Sequence, residues 1–256
     1  MPDRAAHLNG CRLVIGASRG IGLALVRAQL NDDQAARVIA TFRPQRGPGE
    51  LEALADRHDH RLLILPLDVT DDSSIEMFAR RIGSLEGGFD IAVHAAGFLH
   101  EGGIQPEKTL DHCDRHALRH LFEVNSIGPL MLARALLPLQ SRQRRFTFAA
   151  LSAMVGSIGD NRLGGWYGYR ASKAALNQFL RTLANECRVR FPNAAILAVH
   201  PGTTDTGLSR PFQRNVPRER LYAPETTAAR ILDVIGQPGQ GPTGAFLNWD
   251  GTEIPW

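Results

Sequence analysis

The chain has 256 residues, 43% of them hydrophobic and 21% charged, with a formal net charge of +3. That is the make-up of an ordinary soluble globule, long enough for one α/β domain or two small ones. No run of 18 apolar residues exists, so no membrane span is expected, and so small a charge gives little reason to expect a nucleic-acid partner.

Met1 to Gly10 is short and polar and lacks the apolar centre of a signal peptide, so a cytoplasmic chain is expected. Cys11, Cys113 and Cys187 are odd in number and far apart, and read as reduced thiols. Cys11 to Ile15 reads as a strand. It ends in Gly16-Ala17-Ser18-Arg19-Gly20-Ile21-Gly22, after which Ile21, Leu25 and Ala28 take up helical spacing as far as Leu30. Strand, glycine turn and helix open a dinucleotide-binding fold. Gly16 permits the tight turn, Gly20 lets backbone approach a pyrophosphate, and Gly22 lets helix and strand pack closely.

Arg37 to Phe42 reads as the second strand, with Arg43 directly after it. An acidic residue at that strand end would bind a ribose 2′-hydroxyl, whereas an Arg suits a 2′-phosphate. Arg19 offers a second guanidinium to the same phosphate, so NADP(H) is the expected cofactor. A short helix over 50–58 and a third strand, Arg61 to Leu67, follow, then Asp68-Val69-Thr70-Asp71. Thr70 or Asp71 caps a helix running to about Ile82. The fourth strand, Asp90 to Ala95, ends at Ala96-Gly97, where small residues let a ribose or nicotinamide lie against backbone.

A long helical pattern, Lys108 to Leu139, contains Asn125 and the spaced His112, His116 and His120. Three ligands down one straight helix cannot converge on one ion, so no metal is expected. Arg142, Arg144 and Arg145 read as a solvated helix end. The remaining strands are Phe146 to Leu151, Ala194 to Val199 and Gly244 to Trp249, with helices at about Tyr169 to Arg190 and Pro224 to Val234. Strands alternating with helices imply one domain over 1–256, a doubly wound Rossmann fold with a seven-stranded parallel sheet. Ligands in such a sheet bind beyond the carboxyl ends of the strands, and that is where these motifs fall.

Tyr169 and Lys173 stand four apart, one turn apart on one helix face. A neighbouring ammonium favours phenolate, so Lys173 is expected to lower the Tyr169 pKa and fit it for acid–base work. Lys108 and Lys173 are the chain's only lysines. Trp166, Leu208 and Phe212 suggest an apolar substrate pocket, and Ser209 to Leu221 a mobile lid.

With GASRGIG, LDVTD, VNSIGP, YRASKAALN, HPGTTDT and FLNWDGTEIPW in this order, the chain resembles the short-chain dehydrogenases/reductases along nearly its whole length. It is most similar to the C-factor branch, which includes small NADPH-dependent carbonyl reductases. The resemblance implies Tyr169 as general acid, Lys173 on the nicotinamide ribose, and Asn125 holding a water that relays protons to Lys173. It implies Gly16, Ser18, Arg19, Gly20, Ile21 and Gly22 around the pyrophosphate and Asp68 and Val69 flanking the adenine. Pro201, Gly202, Thr203 and Thr206 would hold the nicotinamide end. A homo-oligomer, dimer or tetramer, built on the helices around Leu130–Leu139 and Ala174–Leu183 is also implied.

Two positions depart from the family pattern. His94 stands where the family carries an amide, and is expected to be buried and hydrogen-bonded. Counting back from Gly156, the family's serine position holds Ala153, which leaves Ser152 as the expected carbonyl-orienting hydroxyl and Ser157 as the substitute. The expected activity is NADPH-dependent reduction of an aldehyde, ketone or quinone. The alternative is an NADP-binding signalling or regulatory protein with weak or incidental reductase activity.

Overall fold

The computed structural model describes residues 10–256 apart from 33, 34, 36, 59 and 87, so most of the N-terminal segment lies outside the described residues. The chain runs β1 (Cys11–Ile15), α1 (Gly20–Leu30), β2 (Arg37–Phe42), α2 (Glu50–Arg57), β3 (Leu62–Pro66), α3 (Asp72–Glu86) and β4 (Ile91–His94). It continues through α4 (Arg115–Phe122), α5 (Gly128–Leu136), β5 (Phe146–Leu151), α6 (Tyr167–Arg190), β6 (Ala194–His200), β7 (Thr203–Thr204), β8 (Leu221–Tyr222), α7 (Pro224–Ile235) and β9 (Ala245–Asn248). Seven strands form a parallel sheet in the order β3-β2-β1-β4-β5-β6-β9. The expected doubly wound α/β fold is what the chain adopts.

Apolar runs make these strands because both faces of the sheet are covered. Alternate side chains serve alternate layers. Leu13, Ile15, Phe146 and Phe148 join the layer of α3, α5 and α6, while Val14, Ala149 and Leu151 join the layer of α1, α2 and α7. Asp71 caps α3 as expected, accepting from Ser73 N at 3.1 Å. Strand order reverses between β1 and β4, which opens a crevice at their carboxyl ends.

The long helix expected over 108–139 is not one helix. Its first turn is a 3-10 turn, Leu110–His112, and α4 starts only at Arg115, where Asp114 accepts from Ala117 N at 2.9 Å. His112 therefore does not share a helix face with His116 and His120. A π-helical turn, Glu123–Ile127, then separates α4 from α5. The basic cluster needs the same correction. Arg144 is no solvated helix end, because it pairs with Asp90 Oδ1 at 2.7 Å, the two side chains only 12% and 13% exposed. The stretch read as a lid folds into two 3-10 turns, Arg210–Asn215 and Arg218–Arg220. Among the described residues, no helix is long and apolar enough to cross a membrane.

Candidate active site

A cavity of about 890 Å³ opens at the strand ends, and most of the expected site residues meet in its wall. Gly16, Ser18, Arg19, Gly20, Ile21, Gly22, Arg43, Asp68, Val69, Ala96, Gly97, Ser152, Tyr169, Lys173, Pro201 and Thr206 all line it. Gly202, Thr203, Asn125 and Ser157 are not part of the wall.

The glycine turn is shaped by close approach. Gly16 has φ +78°, and a Cβ there would stand 2.7 Å from Ala96 Cα. A Cβ on Gly22 would meet Gly16 O at 2.2 Å, so α1 can lie against the turn only because Gly22 has none. The turn is held from β2, where Thr41 Oγ1 accepts from Gly16 N at 3.0 Å and Thr41 O from Ala17 N at 2.7 Å. These contacts leave the first-turn amides of α1 facing a cleft, the arrangement that suits a pyrophosphate.

At one end of the cavity Arg19 and Arg43 are joined by Arg46, Gln45 and Glu101, none of which the sequence reading identified. Burial, then Arg46 and Arg43, pull the Arg19 guanidinium below its ordinary value, with Glu101 acting the other way. Glu101 pairs with Arg46 and lies 3.9 Å from Arg43 Nη2. Asp68 accepts from Thr70 N and Oγ1 at 3.0 and 2.7 Å and from Gln45 Nε2 at 3.2 Å. Burial pushes its carboxyl up, but those bonds and the charge of Arg43 outweigh it and hold Asp68 low.

Tyr169 and Lys173 line the same cavity. Both are buried, and Lys173 Nζ lies 5.8 Å from the Tyr169 ring centroid while donating to Leu151 O at 2.8 Å. Against the expectation that Lys173 lowers the Tyr169 pKa, the net shift in the chain alone is upward. Burial pushes the phenol up and pulls the Lys173 ammonium down to about 8, because desolvation disfavours the charged form of each. His94 is fully buried as expected. Burial, then the Lys173 charge, hold it down to about 3, against hydrogen bonds to the backbone of His94 and Ala96.

Asn125 sits inside the π turn. Its Oδ1 accepts from Phe98 N at 2.8 Å, and its Nδ2 donates to Phe98 O at 2.8 Å and to Ser172 Oγ at 3.1 Å. It therefore fixes the segment after β4 against α6 from behind Gly97, where a Cβ would stand 3.7 Å from Asn125 Oδ1 and 3.9 Å from Lys173 Nζ. Single π turns within α-helices are frequent at functional sites.

Of the two candidate serines, Ser152 is at the wall and Ser157 is not. Ser152 Oγ donates to Asn177 Oδ1 at 2.6 Å, while Ser157 Oγ accepts from Asp160 N at 3.1 Å. The Trp166 and Phe212 rings pack 4.9 Å apart and Trp166 lies 6.0 Å from the Tyr169 ring, but of the expected apolar group only Leu208 lines the cavity. A further residue escaped the sequence reading. Glu107, 2% exposed, accepts from Gly168 N with both carboxylate oxygens at 3.2 Å, capping the first turn of α6. Among the described residues, no group of three or more His, Cys, Asp or Glu is gathered to hold a metal ion.

A glycine turn at the switch point and a Tyr–Lys pair in the same cavity fit a nucleotide-dependent oxidoreductase. Residues 16–237 match the family model described as enoyl-(acyl carrier protein) reductase, and the chain belongs to the short-chain dehydrogenase/reductase family. It is 31% identical over 252 residues to a 1-hydroxy-2-glutathionyl-2-methyl-3-butene dehydrogenase of Rhodococcus sp. strain AD45, covering 95% of this chain and 98% of that protein. It is also 31% identical over 148 residues to the C-signal protein of Myxococcus xanthus, covering 57% and 81%. The structure of an NADPH-bound carbonyl reductase from chicken fatty liver superposes with a TM-score of 0.83 at 29% identity, covering 99% and 98%.

Proposed function

We propose that this chain is an NADP(H)-dependent reductase of aldehydes, ketones or quinones. The observation that carries the reading is that Tyr169 and Lys173 line the same cavity as the glycine turn and the arginine corner. The donor set suits a phosphorylated dinucleotide. Backbone amides meet the pyrophosphate, Arg19 and Arg43 meet a 2′-phosphate, and Asp68 and Val69 flank the adenine. Pro201 and Thr206, which line the cavity, would serve the nicotinamide end. The likeness to an NADPH-bound carbonyl reductase supports the same reading.

NADPH would supply the hydride; the chain supplies the proton and the alignment. Tyr169 donates its phenolic proton to the carbonyl oxygen as charge develops there. Lys173, a cation below about pH 8, stabilises the phenolate left behind. Asn125 positions both by holding the Phe98 segment against α6. Ser152 takes the orienting role, and to donate to substrate its hydroxyl must exchange its bond to Asn177. Leu208, which lines the cavity, favours an apolar substituent on the carbonyl. The chain acts as a cytoplasmic homo-oligomer joined through α5 and α6.

The test is NADPH oxidation against a panel of aldehydes, ketones and quinones. Tyr169→Phe is expected to lower kcat/KM by about 10²- to 10⁴-fold while keeping the wild-type melting temperature. Equal, negligible turnover by both proteins across the panel sinks the enzyme reading. It would favour a nucleotide-binding regulatory role, which the committed Ser152 hydroxyl and Ala153 also suit.

A further inference from the structure

The arginine corner already holds an anion of the chain's own making. Glu101 follows the Ala96–Gly97 strand end by one short segment, and its carboxylate pairs with Arg46 and faces Arg43. Arg46 reaches it because Pro44–Arg46 form a 3-10 turn directly after β2, which brings Arg46 back beside Arg43. The side chains of Glu101, Arg43 and Arg46 are 44%, 39% and 28% exposed, so solvent and salt screen the contact, and a stronger anion can replace it. The segment is built to let it go. Glu101 and Ile104 close a small antiparallel bridge around Gly102 and Gly103, and nothing stands within 4 Å of where a Cβ would be on either glycine. The neighbouring His100 ties the segment's base across the cleft, donating from Nε2 to Leu208 O at 3.0 Å.

We propose that Glu101 is an internal stand-in for a 2′-phosphate, occupying Arg43 and Arg46 in the free chain and giving way when a 2′-phosphorylated adenosine enters. Arg46 thereby becomes a ligand of that phosphate. The inference rests on the NADP(H) reading. A phosphate monoester carries about −1.5 to −2 charges at neutral pH against one for a carboxylate, and offers more oxygens to two guanidinium forks. An unphosphorylated ribose has no charge with which to displace Glu101. The carboxylate therefore keeps the corner filled unless the correct anion arrives already anchored by the rest of the cleft. The hydrogen bond from Arg46 holds the Glu101 carboxyl low, against burial, so it stays anionic at neutral pH.

The test is calorimetric titration of the whole chain at low salt with adenosine 2′,5′-bisphosphate and with adenosine 5′-monophosphate. Glu101→Gln is expected to bind the bisphosphate roughly two- to fivefold more tightly, to leave the monophosphate unmoved, and to lose the gain at high salt. Arg46→Ala is expected to weaken the bisphosphate alone. Wild-type preference for the bisphosphate with no gain in Glu101→Gln overturns the inference and leaves the NADP(H) reading standing. An equal gain for both probes overturns it too, since the effect is then general electrostatics. A wild-type chain that binds both probes equally overturns the NADP(H) reading and this inference with it.

Discussion

At the scale of single residues, the Tyr169–Lys173 pair is governed by desolvation more than by mutual attraction. Nζ is spent on Leu151 O, and the ammonium sits in a buried wall that pulls its pKa down to about 8. The sign of the consequence follows. An unfolded lysine titrates near 10.4, so between about pH 8 and 10 the unfolded chain binds a proton that the folded chain has released. Stability contributed by this group therefore rises with pH across that window. Urea midpoints at pH 7.5, 9 and 10 are expected to show the rise in wild type relative to Lys173→Met; a constant difference between the two removes the assignment. YxxxK was legible because its spacing is a helix turn. The direction of the pKa shifts was not, because it depends on how deeply α6 sits against β5.

At the scale of elements, the entry to α6 is the part whose stability the site depends on. Trp166, its N-cap, has φ 53° and makes no side-chain cap. Glu107 supplies that cap, and its own carbonyl accepts from Trp166 N at 2.5 Å. Removing a buried charged cap leaves the Gly168 amide unpaired, so Glu107→Ala is expected to cost about 1–3 kcal/mol. Glu107→Gln, which keeps an acceptor, should recover part of it. Thermal melts check the ranking, and a glutamine no better than alanine contradicts it. The strands were legible because buried parallel strands are continuous apolar runs. The break in the helix expected over 108–139 was not, since the π turn around Asn125 is paired with Phe98 and Ser172, far away in sequence. Nor was Glu107, which meets its partner 61 residues on.

At the scale of the molecule, the cavity exists because α1 lies almost on the backbone of the glycine turn. Gly22→Ala would place a methyl 2.2 Å from Gly16 O, where backbone and not a flexible side chain must yield. Overpacking of this kind costs roughly 1–3 kcal/mol, and here the displaced element is the pyrophosphate cradle. Nucleotide affinity, read by titration, is expected to fall at least tenfold alongside the melting temperature, a factor of ten being about 1.4 kcal/mol. Affinity retained at the wild-type value would show that α1 can shift without cost. The location of this crevice was legible because the motifs fall at successive strand ends. The Arg46–Glu101 contact was not, because it depends on a three-residue turn and on a loop from another strand.

The burial of Lys173 also makes the chain a selective chemical reporter. Apart from the α-amino group, only two side-chain amines exist: Lys108, exposed, and Lys173, 3% exposed. Reductive methylation with isotope-labelled formaldehyde therefore yields one lysine methyl resonance from the surface and, where the reagent enters the cleft, a second from the cavity wall. The first is an internal standard. The second senses occupancy of the cleft directly, without a chromophore, a fusion or an introduced cysteine.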